Sequence, residues 1–244
     1  MGLAGGGTDV SPYSDEYGGA ILNATVNLYA HTTLIPRTDG KIILRATDLD
    51  KEFTLDTTNE LEINGELDLQ KGVYNRIVKA FTNKPLSFEL TTKMDVPSGS
   101  GLGTSSTLVV SILGAFIEWL QLDLTAYEIA RLAFSIERED LNMAGGKQDQ
   151  YAAVFGGINF LEFGANNDVI VHPLDISKAL VNELEVNLLL FYTKTSRESS
   201  KIILIQAENV QKKQSKPINA MHLLKEQAFA MKDALINGDL KAIG

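Results

Sequence analysis

Hydrophobic and polar positions alternate in a way that predicts strands over much of the first ninety residues. β-Branched and apolar residues recur over 20–36, 42–44 and 53–55. Apolar and polar residues then alternate over 86–91, which is the spacing of a strand with one buried face. We therefore expect several short strands joined by turns.

Other segments carry apolar residues at helical spacing. The pattern predicts helices over 68–82, 104–122, 125–140 and 218–236. The second of these has a single charged residue, Glu118, so we expect a central, buried helix. The third begins at Thr125, and Glu128 three residues later completes a capping box.

The second half of the chain mixes these helices with two further strands, predicted over 158–163 and 185–192. Residues 165–168, Ala-Asn-Asn-Asp, predict a turn, which we interpret as a domain boundary. The expected fold class is α+β, with domains at 1–165 and 166–244. The length of 244 residues is enough for one large or two smaller cores.

Composition excludes several classes of function. The formal net charge of −9 argues against nucleic acid as a partner, because binding to a phosphate backbone needs a basic surface. The chain has no cysteine, which excludes disulfides and thiolate metal sites. The sequence shows neither a signal peptide nor an apolar run long enough for a membrane span, so we expect a cytoplasmic protein that is not bound to a membrane.

A glycine-rich stretch at Val96–Thr107 precedes the second predicted helix. Gly99, Gly101 and Gly103 allow positive φ and a close backbone approach, and the following Thr-Ser-Ser is suited to cap the helix. Amides at the helix start would favour a phosphate. No lysine follows Gly103, and the spacing does not fit a dinucleotide fingerprint, so both of those motifs are disfavoured. A glycine turn that only packs on a sheet stays open as an alternative.

The N-terminus reads Ala4-Gly5-Gly6-Gly7-Thr8-Asp9. Composition alone allows a flexible tail. Pro12, Tyr13 and the Gly18-Gly19 pair that follow favour a structured turn region instead. An acidic residue at the end of a glycine loop could bind sugar hydroxyls, which makes Asp9 a candidate site residue.

The stretch Pro97-Ser-Gly-Ser-Gly-Leu-Gly-Thr-Ser-Ser106 resembles the central P-x-x-x-G-L-G-S-S-A motif of the GHMP small-molecule kinases, with conservative departures at Thr104 and Ser106. The N-terminal glycine motif and Arg197-Glu-Ser-Ser200 resemble the subgroup of bacterial D-glycero-D-manno-heptose 7-phosphate kinases. The resemblance covers essentially the whole chain. It implies a two-domain fold, an N-terminal ribosomal-protein-like βαβ domain and part of a ferredoxin-like domain.

The resemblance also implies the site residues and the cofactors, ATP and Mg²⁺. Asp149 aligns with the catalytic base, and Ser105 and Glu137 align with the Mg²⁺ ligands. The resemblance assigns the sugar to the N-terminal loop, whereas Arg197, Lys93 and Lys147 are candidates for the acceptor's phosphate on their charge alone. The ATP loop comprises Pro97, Ser98, Gly99, Ser100, Gly101, Leu102, Gly103, Thr104 and Ser105, and the sugar-phosphate residues are Gly6, Gly7, Thr8, Asp9 and Arg197.

Two departures from the family pattern concern the ends of the sequence. The family's third glycine-rich motif and the basic residue before its first motif are absent from these 244 residues, so we expect an incomplete C-terminal domain. The expected reaction is phosphorylation of a heptose 7-phosphate at its anomeric hydroxyl. A fucokinase-like or other sugar kinase and a non-catalytic sugar and nucleotide sensor stay open. The oligomeric state is also open, with a homodimer as one option.

Overall fold

The computed structural model describes residues 1–97, 99–189, 191 and 199–243. Helices and mostly antiparallel strands are mixed along the chain, which confirms the predicted α+β class. In chain order the elements are β1 (Gly2–Ala4), α1 (Tyr13–Tyr17), β2 (Gly19–Ala24), β3 (Ala30–Pro36), β4 (Lys41–Ala46), β5 (Lys51–Asp56), α2 (Asp68–Ile77) with a π-helical turn (Val78–Thr82), β6 (Phe88–Met94), α3 (Thr104–Leu120), α4 (Ala126–Ser135) with a second π-helical turn (Ile136–Asp140), α5 (Gln148–Phe155), β7 (Ile158–Phe163), a short turn (Ala165–Asn167), β8 (Val169–Pro173), α6 (Lys178–Asn187), α7 (Ser199–Gln211), α8 (Ser215–Ile236) and α9 (Leu240–Ile243).

The chain forms two compact units. The inserted unit comprises Asn27–Met143, and the terminal unit comprises Met1–Val26 together with Ala144–Gly244. Each unit contains one four-stranded sheet. The strand order is β3-β6-β4-β5 in the inserted unit and β1-β2-β7-β8 in the terminal unit.

The core of the inserted unit lies between one face of its sheet and helices α2, α3 and α4. β4 and β6 run parallel, whereas the other strand pairs of this sheet are antiparallel. Leu44 and Phe88 on the sheet pack with Tyr74 on α2 and Phe116 on α3, and all four are fully buried. This packing fixes α3, whose N-terminus follows directly on the glycine-rich stretch.

Helix α3 is apolar on most of its surface, as the sequence predicts. Its fully buried positions form one face and include Val109, Ile112 and Phe116, while Gly114 and Glu118 are exposed. It is therefore a core helix with one exposed edge. Across the described ranges, no helix combines the length and the apolar character that a membrane span requires.

The sheet of the terminal unit is antiparallel throughout. Ala20, Leu22 and Phe160 on one face pack with Ala228 and Leu235 of α8. The last predicted helix is confirmed, with its start three residues earlier than expected, at Ser215. This core holds the N-terminal loop and α5 on the same body.

The two units do not coincide with the predicted domains 1–165 and 166–244. The predicted turn at 165–168 is present, but it joins two paired strands, because Phe163 of β7 lies opposite Val169 of β8. Asn166 and Asn167 adopt positive φ and close a hairpin at the turn that we interpreted as a domain boundary. The limits of the family domains themselves stay a prediction.

The predicted strand over 185–192 is wrong in its first part, because residues 185–187 end helix α6. The Ser177 hydroxyl accepts a hydrogen bond from the Leu180 amide at 3.3 Å and caps this helix. Leu184, one turn further on, is buried in the core of the terminal unit. The helical spacing of Leu180 and Leu184 indicates this helix in the sequence, but the apolar run that follows them favours a strand. Residues 190 and 192 lie outside the described residues.

Candidate active site

The glycine-rich stretch forms a loop between β6 and α3 with the backbone geometry that its glycines predict. Gly99, Gly101 and Gly103 all have positive φ, at 76°, 80° and 69°. A Cβ at Gly101 would meet no heavy atom of the described residues within 4 Å, so this part of the loop faces open space. An alternative in which the glycines serve only close packing on the sheet does not fit Gly101.

The start of α3 differs from the expected capping by Thr-Ser-Ser. Gly103 is the N-cap residue and adopts the left-handed conformation. Because it has no side chain, no side-chain oxygen caps the first turn. Thr107 turns back instead, since its hydroxyl donates to the Gly103 carbonyl at 2.9 Å. Within the described residues, the Ser100 hydroxyl oxygen is buried without a hydrogen-bond partner. The loop thus presents helix-start amides and a buried hydroxyl, both of which suit an anion.

Glu137 is fully buried, and its carboxylate reaches the first turn of α3. The Ser106 hydroxyl, itself 1% exposed, donates to Glu137 Oε2 at 2.6 Å. The Arg138 guanidinium lies 3.8 Å from Glu137 Oε1. A solvated helix end, the ordinary interpretation of Glu-Arg-Glu-Asp, is therefore wrong for Glu137. The sequence alone gave no reason to pair it with Ser106, 31 positions away.

The serine that contacts Glu137 is not the one that the family resemblance indicates. The motif alignment points to Ser105, whose side chain is half-buried, whereas the hydrogen bond to Glu137 comes from Ser106. In the part of the chain that the structure describes, no group of three or more His, Asp or Glu side chains could hold a metal ion. A cation here would rely on one carboxylate, a serine hydroxyl and oxygens of its ligand, which is how Mg²⁺ binds beside phosphates.

A cavity of about 360 Å³ lies in the inserted unit between β6, α2 and α3. Its walls combine apolar side chains, among them Met94 and Leu108, with the polar pair Gln70 and Thr92. Three charged residues also line it: Asp48, Lys51 and Asp68. Gln70 Nε2 donates to Thr92 Oγ1 at 2.7 Å. Across the described residues, Gln70 Oε1 is buried without a partner. A cavity with apolar walls and one unused acceptor suits a flat ring that carries a donor, and the charged residues lie among the other lining residues. No motif or periodicity in the sequence marks Gln70 as a site residue.

Asp149 lies in the first turn of α5, in the terminal unit, and is half-buried. The start of this helix is held by another carboxylate, because Asp9 Oδ2 accepts from the Lys147 amide at 2.7 Å and from the Gln148 amide at 2.9 Å. Asp9 is 2% exposed. The structure thus brings Asp9 and Asp149 to one helix start, with Asp9 used as a distant cap.

The glycine before this helix start permits the contact. A Cβ at Gly146 would lie 1.9 Å from Asp9 Oδ2. Because real Cβ contacts are never that short, any side chain at this position would displace the carboxylate. Sequence reasoning placed Asp9 in a sugar-binding role. The structure adds a capping role that could not be seen without knowing that residues 138 positions apart meet.

The N-terminal glycine motif is structured. The Thr8 hydroxyl is fully buried and lies within hydrogen-bonding distance of two carbonyl oxygens, those of Gly5 (2.8 Å) and Ala20 (3.0 Å). The Gly7 carbonyl accepts a hydrogen bond from Gln206 Nε2 at 2.7 Å. Gly6 is exposed. The flexible-tail alternative is therefore wrong, and Thr8 supports the loop from inside.

The basic residues proposed for the acceptor's phosphate have different surroundings. Lys147 is 2% exposed, and its Nζ lies 3.3 Å from both Ser14 Oγ and Asp15 Oδ1. Lys93 is exposed on β6. Arg197 and Ser98, two of the predicted site residues, lie outside the described residues. The buried ammonium of Lys147 supports the loop before α5 rather than facing solvent.

Comparison with known proteins gives a consistent picture. The profile of the GHMP kinases N terminal domain matches residues 68–157, a range that includes the glycine loop, Glu137 and Asp149. The D-glycero-alpha-D-manno-heptose 7-phosphate kinase of Campylobacter jejuni is 52% identical over 241 residues, which cover 98% of this chain and 70% of that protein. The L-fucokinase/L-fucose-1-P guanylyltransferase of Bacteroides fragilis is 27% identical over 266 residues, with 99% of this chain and 28% of that protein covered.

A solved structure is similar along the whole chain. The crystal structure of a D-glycero-D-manno-heptose 1-phosphate kinase from Bacteroides thetaiotaomicron has a TM-score of 0.88 and 49% sequence identity. The match covers 100% of this chain and 72% of that one. The C. jejuni protein is named for a heptose 7-phosphate, whereas the B. thetaiotaomicron protein is named for a heptose 1-phosphate.

Proposed function

The chain belongs to the GHMP kinase family, and we propose that it transfers the γ-phosphoryl group of ATP to the anomeric hydroxyl of D-glycero-α-D-manno-heptose 7-phosphate, giving the 1,7-bisphosphate. The observation that carries the proposal is the 52% identity to a heptose 7-phosphate kinase over 98% of the chain. We expect the reaction in the cytoplasm, where ATP is available.

ATP is assigned to the inserted unit. The loop from Pro97 to Ser105 holds the phosphates through its backbone amides and the first turn of α3, because glycines with positive φ leave the backbone accessible. The cavity beside β6 takes the adenine ring, with Gln70 Oε1 as the acceptor for its amino group. The negative charge of the whole chain makes such local binding necessary.

Mg²⁺ is assigned to Glu137 and a serine of the glycine motif. Mg²⁺ prefers hard oxygen ligands and keeps waters and phosphate oxygens around it, so one carboxylate and one hydroxyl are sufficient. The resemblance implies Ser105, but the geometry supports Ser106, whose Oγ is 2.6 Å from Glu137 Oε2. When bound, the ion neutralises charge on the phosphates. Glu137 and its serine hold that charge at the start of α3.

Asp149 is assigned as the base. The anomeric hydroxyl oxygen forms a bond to the γ-phosphorus, the bond to the bridging oxygen of ADP breaks, and the hydroxyl proton passes to the Asp149 carboxylate. Its position in the first turn of α5 is fixed by the Asp9 cap. Positioning of this kind supplies much of the acceleration in phosphoryl transfer.

The acceptor is assigned to the terminal unit, to Gly6, Gly7, Thr8 and Asp9, with Arg197 as a ligand of the 7-phosphate. In this assignment Thr8 and Asp9 act mainly by holding the loop and the start of α5, because both side chains are buried. The exposed backbone of Gly6 is the part available to sugar hydroxyls. An Arg197→Ala variant should raise the KM for the phosphorylated sugar and leave the KM for ATP unchanged.

The experiment that tests the proposal is ADP release measured with a panel of acceptors. The panel contains heptose 7-phosphate, heptose 1-phosphate, unphosphorylated heptose and fucose, with product identity checked by phosphorus NMR. We expect turnover with heptose 7-phosphate and a new phosphate signal at the anomeric carbon. Activity on fucose without activity on the heptose phosphates would favour the fucokinase alternative. Binding of ATP and sugar without ADP release would favour a sensor.

A further inference from the structure

The π-helical turn that carries Glu137 is attached to α2 by an ion pair at its other end. Arg76, in the last turn of α2, donates from Nε to Asp140 Oδ2 at 2.7 Å and from Nη2 to Asp140 Oδ1 at 2.7 Å. This two-point contact fixes both the distance and the angle between the groups. Glu139 lies further from the same guanidinium, at 3.8 Å.

The backbone of the turn connects this ion pair to Glu137. Glu137 and Asp140 belong to one five-residue π-helical turn, Ile136–Asp140. The Leu141 amide donates to the Ile136 carbonyl at 3.0 Å, and the Met143 amide donates to the Glu137 carbonyl at 2.9 Å. Motion of the Asp140 end would therefore be transmitted along a short, hydrogen-bonded segment to Glu137.

Helix α2 also approaches the turn closely beside the ion pair. A Cβ at Gly72 would lie 2.9 Å from Leu141 Cδ1, so the glycine lets Leu141 pack against the helix. The Arg76 and Asp140 side chains retain 22% and 34% of their exposure, and both line an open groove of about 460 Å³. The two-point geometry of this pair is the kind that holds its partners in a fixed arrangement despite partial exposure.

We propose that Arg76 and Asp140 are positioning residues for Glu137, which set the orientation of its carboxylate toward the Mg²⁺–nucleotide through the π-helical turn. The inference rests on the proposed function, in which Glu137 is a Mg²⁺ ligand. Residues that orient a metal ligand from outside typically change metal affinity about 10- to 100-fold when they are removed. π-Helical turns of this kind are frequent at functional sites.

The test uses Arg76→Gln, which removes the guanidinium and shortens the side chain, and Asp140→Asn, which removes one charge and keeps the size of the side chain. Mn²⁺ is titrated into the protein in the presence of ADP, and free Mn²⁺ is measured by electron paramagnetic resonance. We expect Mn²⁺ affinity about tenfold weaker in each variant, an increased Mg²⁺ requirement in the kinase assay, and an unchanged KM for the sugar. The charge exchange Arg76→Asp with Asp140→Arg should recover part of the Mn²⁺ affinity.

The matched control is Arg45→Gln in the same unit, which breaks the contacts of Arg45 Nε with Glu52 Oε2 at 2.7 Å and of Arg45 Nη1 with Glu89 Oε1 at 2.6 Å. It should leave Mn²⁺ affinity unchanged. Unchanged Mn²⁺ affinity in both Arg76→Gln and Asp140→Asn, together with weakened affinity in Glu137→Gln, would overturn the positioning role. If Glu137→Gln itself bound Mn²⁺ as the wild type does, the metal assignment in the proposed function would be the part that fails.

Discussion

The two units each bury a carboxylate beside a predicted site, but they use it differently. In the inserted unit, Glu137 accepts a hydrogen bond from the side-chain hydroxyl of Ser106. In the terminal unit, Asp9 accepts hydrogen bonds from two backbone amides at the start of α5. Because the Ser106 hydroxyl can rotate, this contact is compatible with the Mg²⁺ role proposed for the Glu137 carboxylate. Two fixed amides make Asp9 part of the scaffold that carries Asp149.

In the proposed function, Glu137 serves metal and nucleotide binding, and Asp9 supports the residue proposed as the base. This division predicts that variants in the two units will separate in their kinetic effects. Changes at Glu137 and its partners should affect the Mg²⁺ requirement and the binding of ATP. Changes at Asp9 and its partners should affect folding and turnover.

The largest effect is expected from Asp149→Asn. An amide cannot accept the proton of the attacking hydroxyl, so kcat should fall about 10²- to 10⁴-fold, roughly 3 to 5 kcal/mol in the barrier. The KM for ATP should change little, since Asp149 belongs to the other unit. Steady-state kinetics at saturating Mg²⁺ provide the measurement. Near-normal turnover would remove Asp149 from the role of base.

The next effect distinguishes the two serines of the glycine motif. Ser106→Ala removes the hydroxyl bonded to Glu137, and we expect the Mg²⁺ concentration for half-maximal rate to rise about tenfold. Ser105→Ala is the matched control and should give a smaller change. The reverse order of effects would restore Ser105 as the ligand that the family resemblance implies.

Local elements of this fold were predictable from the sequence. The capping box at Thr125 and Glu128 is present, and the strand over 158–163 has the predicted limits. In these segments the periodicity, the cap and the turn residues agree. Over 185–192 they conflicted: a dense apolar run indicated a strand, whereas the Ser177 cap and the spacing of Leu180 and Leu184 produce a helix.

The candidate site residues stay a prediction, and the contacts between them could not be predicted from the sequence. Glycine spacing identified the loop, and the resemblance identified Glu137 and Asp149. The Ser106–Glu137 and Asp9–Gln148 hydrogen bonds join residues 31 and 139 positions apart. Such pairings depend on how helices pack on sheets, and hydrophobic periodicity carries no information about them.

A stability measurement tests the capping role of Asp9. Gly146→Ala places a methyl group where Asp9 Oδ2 lies, so we expect a loss of about 1 to 3 kcal/mol in the free energy of unfolding. Gly114→Ala is the control, because a Cβ there meets no heavy atom within 4 Å among the described residues. It should be neutral or slightly stabilising. Equal denaturation midpoints for both variants would contradict the close contact in the terminal unit.

The smallest effect is expected in the inserted unit, at α4. Thr125→Ala removes the capping box and should lower the free energy of unfolding by about 1 kcal/mol, with Asp123→Ala as an exposed control. The hydrogen bonds from Thr125 lower the pKa of Glu128. The carboxylate's contribution is therefore present above its unfolded-state pKa and is lost as the pH falls through the lowered value. A pH-independent difference between Glu128→Gln and wild type would contradict this.

The central claim is that the inserted unit serves the Mg²⁺–nucleotide and the terminal unit serves the acceptor. Calorimetric titration of Glu137→Gln with Mg²⁺–ADP, and separately with heptose 7-phosphate, tests it most directly. We predict at least about tenfold weaker binding of Mg²⁺–ADP and an unchanged Kd for the sugar phosphate. Equal weakening of both ligands, or weakening of the sugar phosphate alone, would contradict the division.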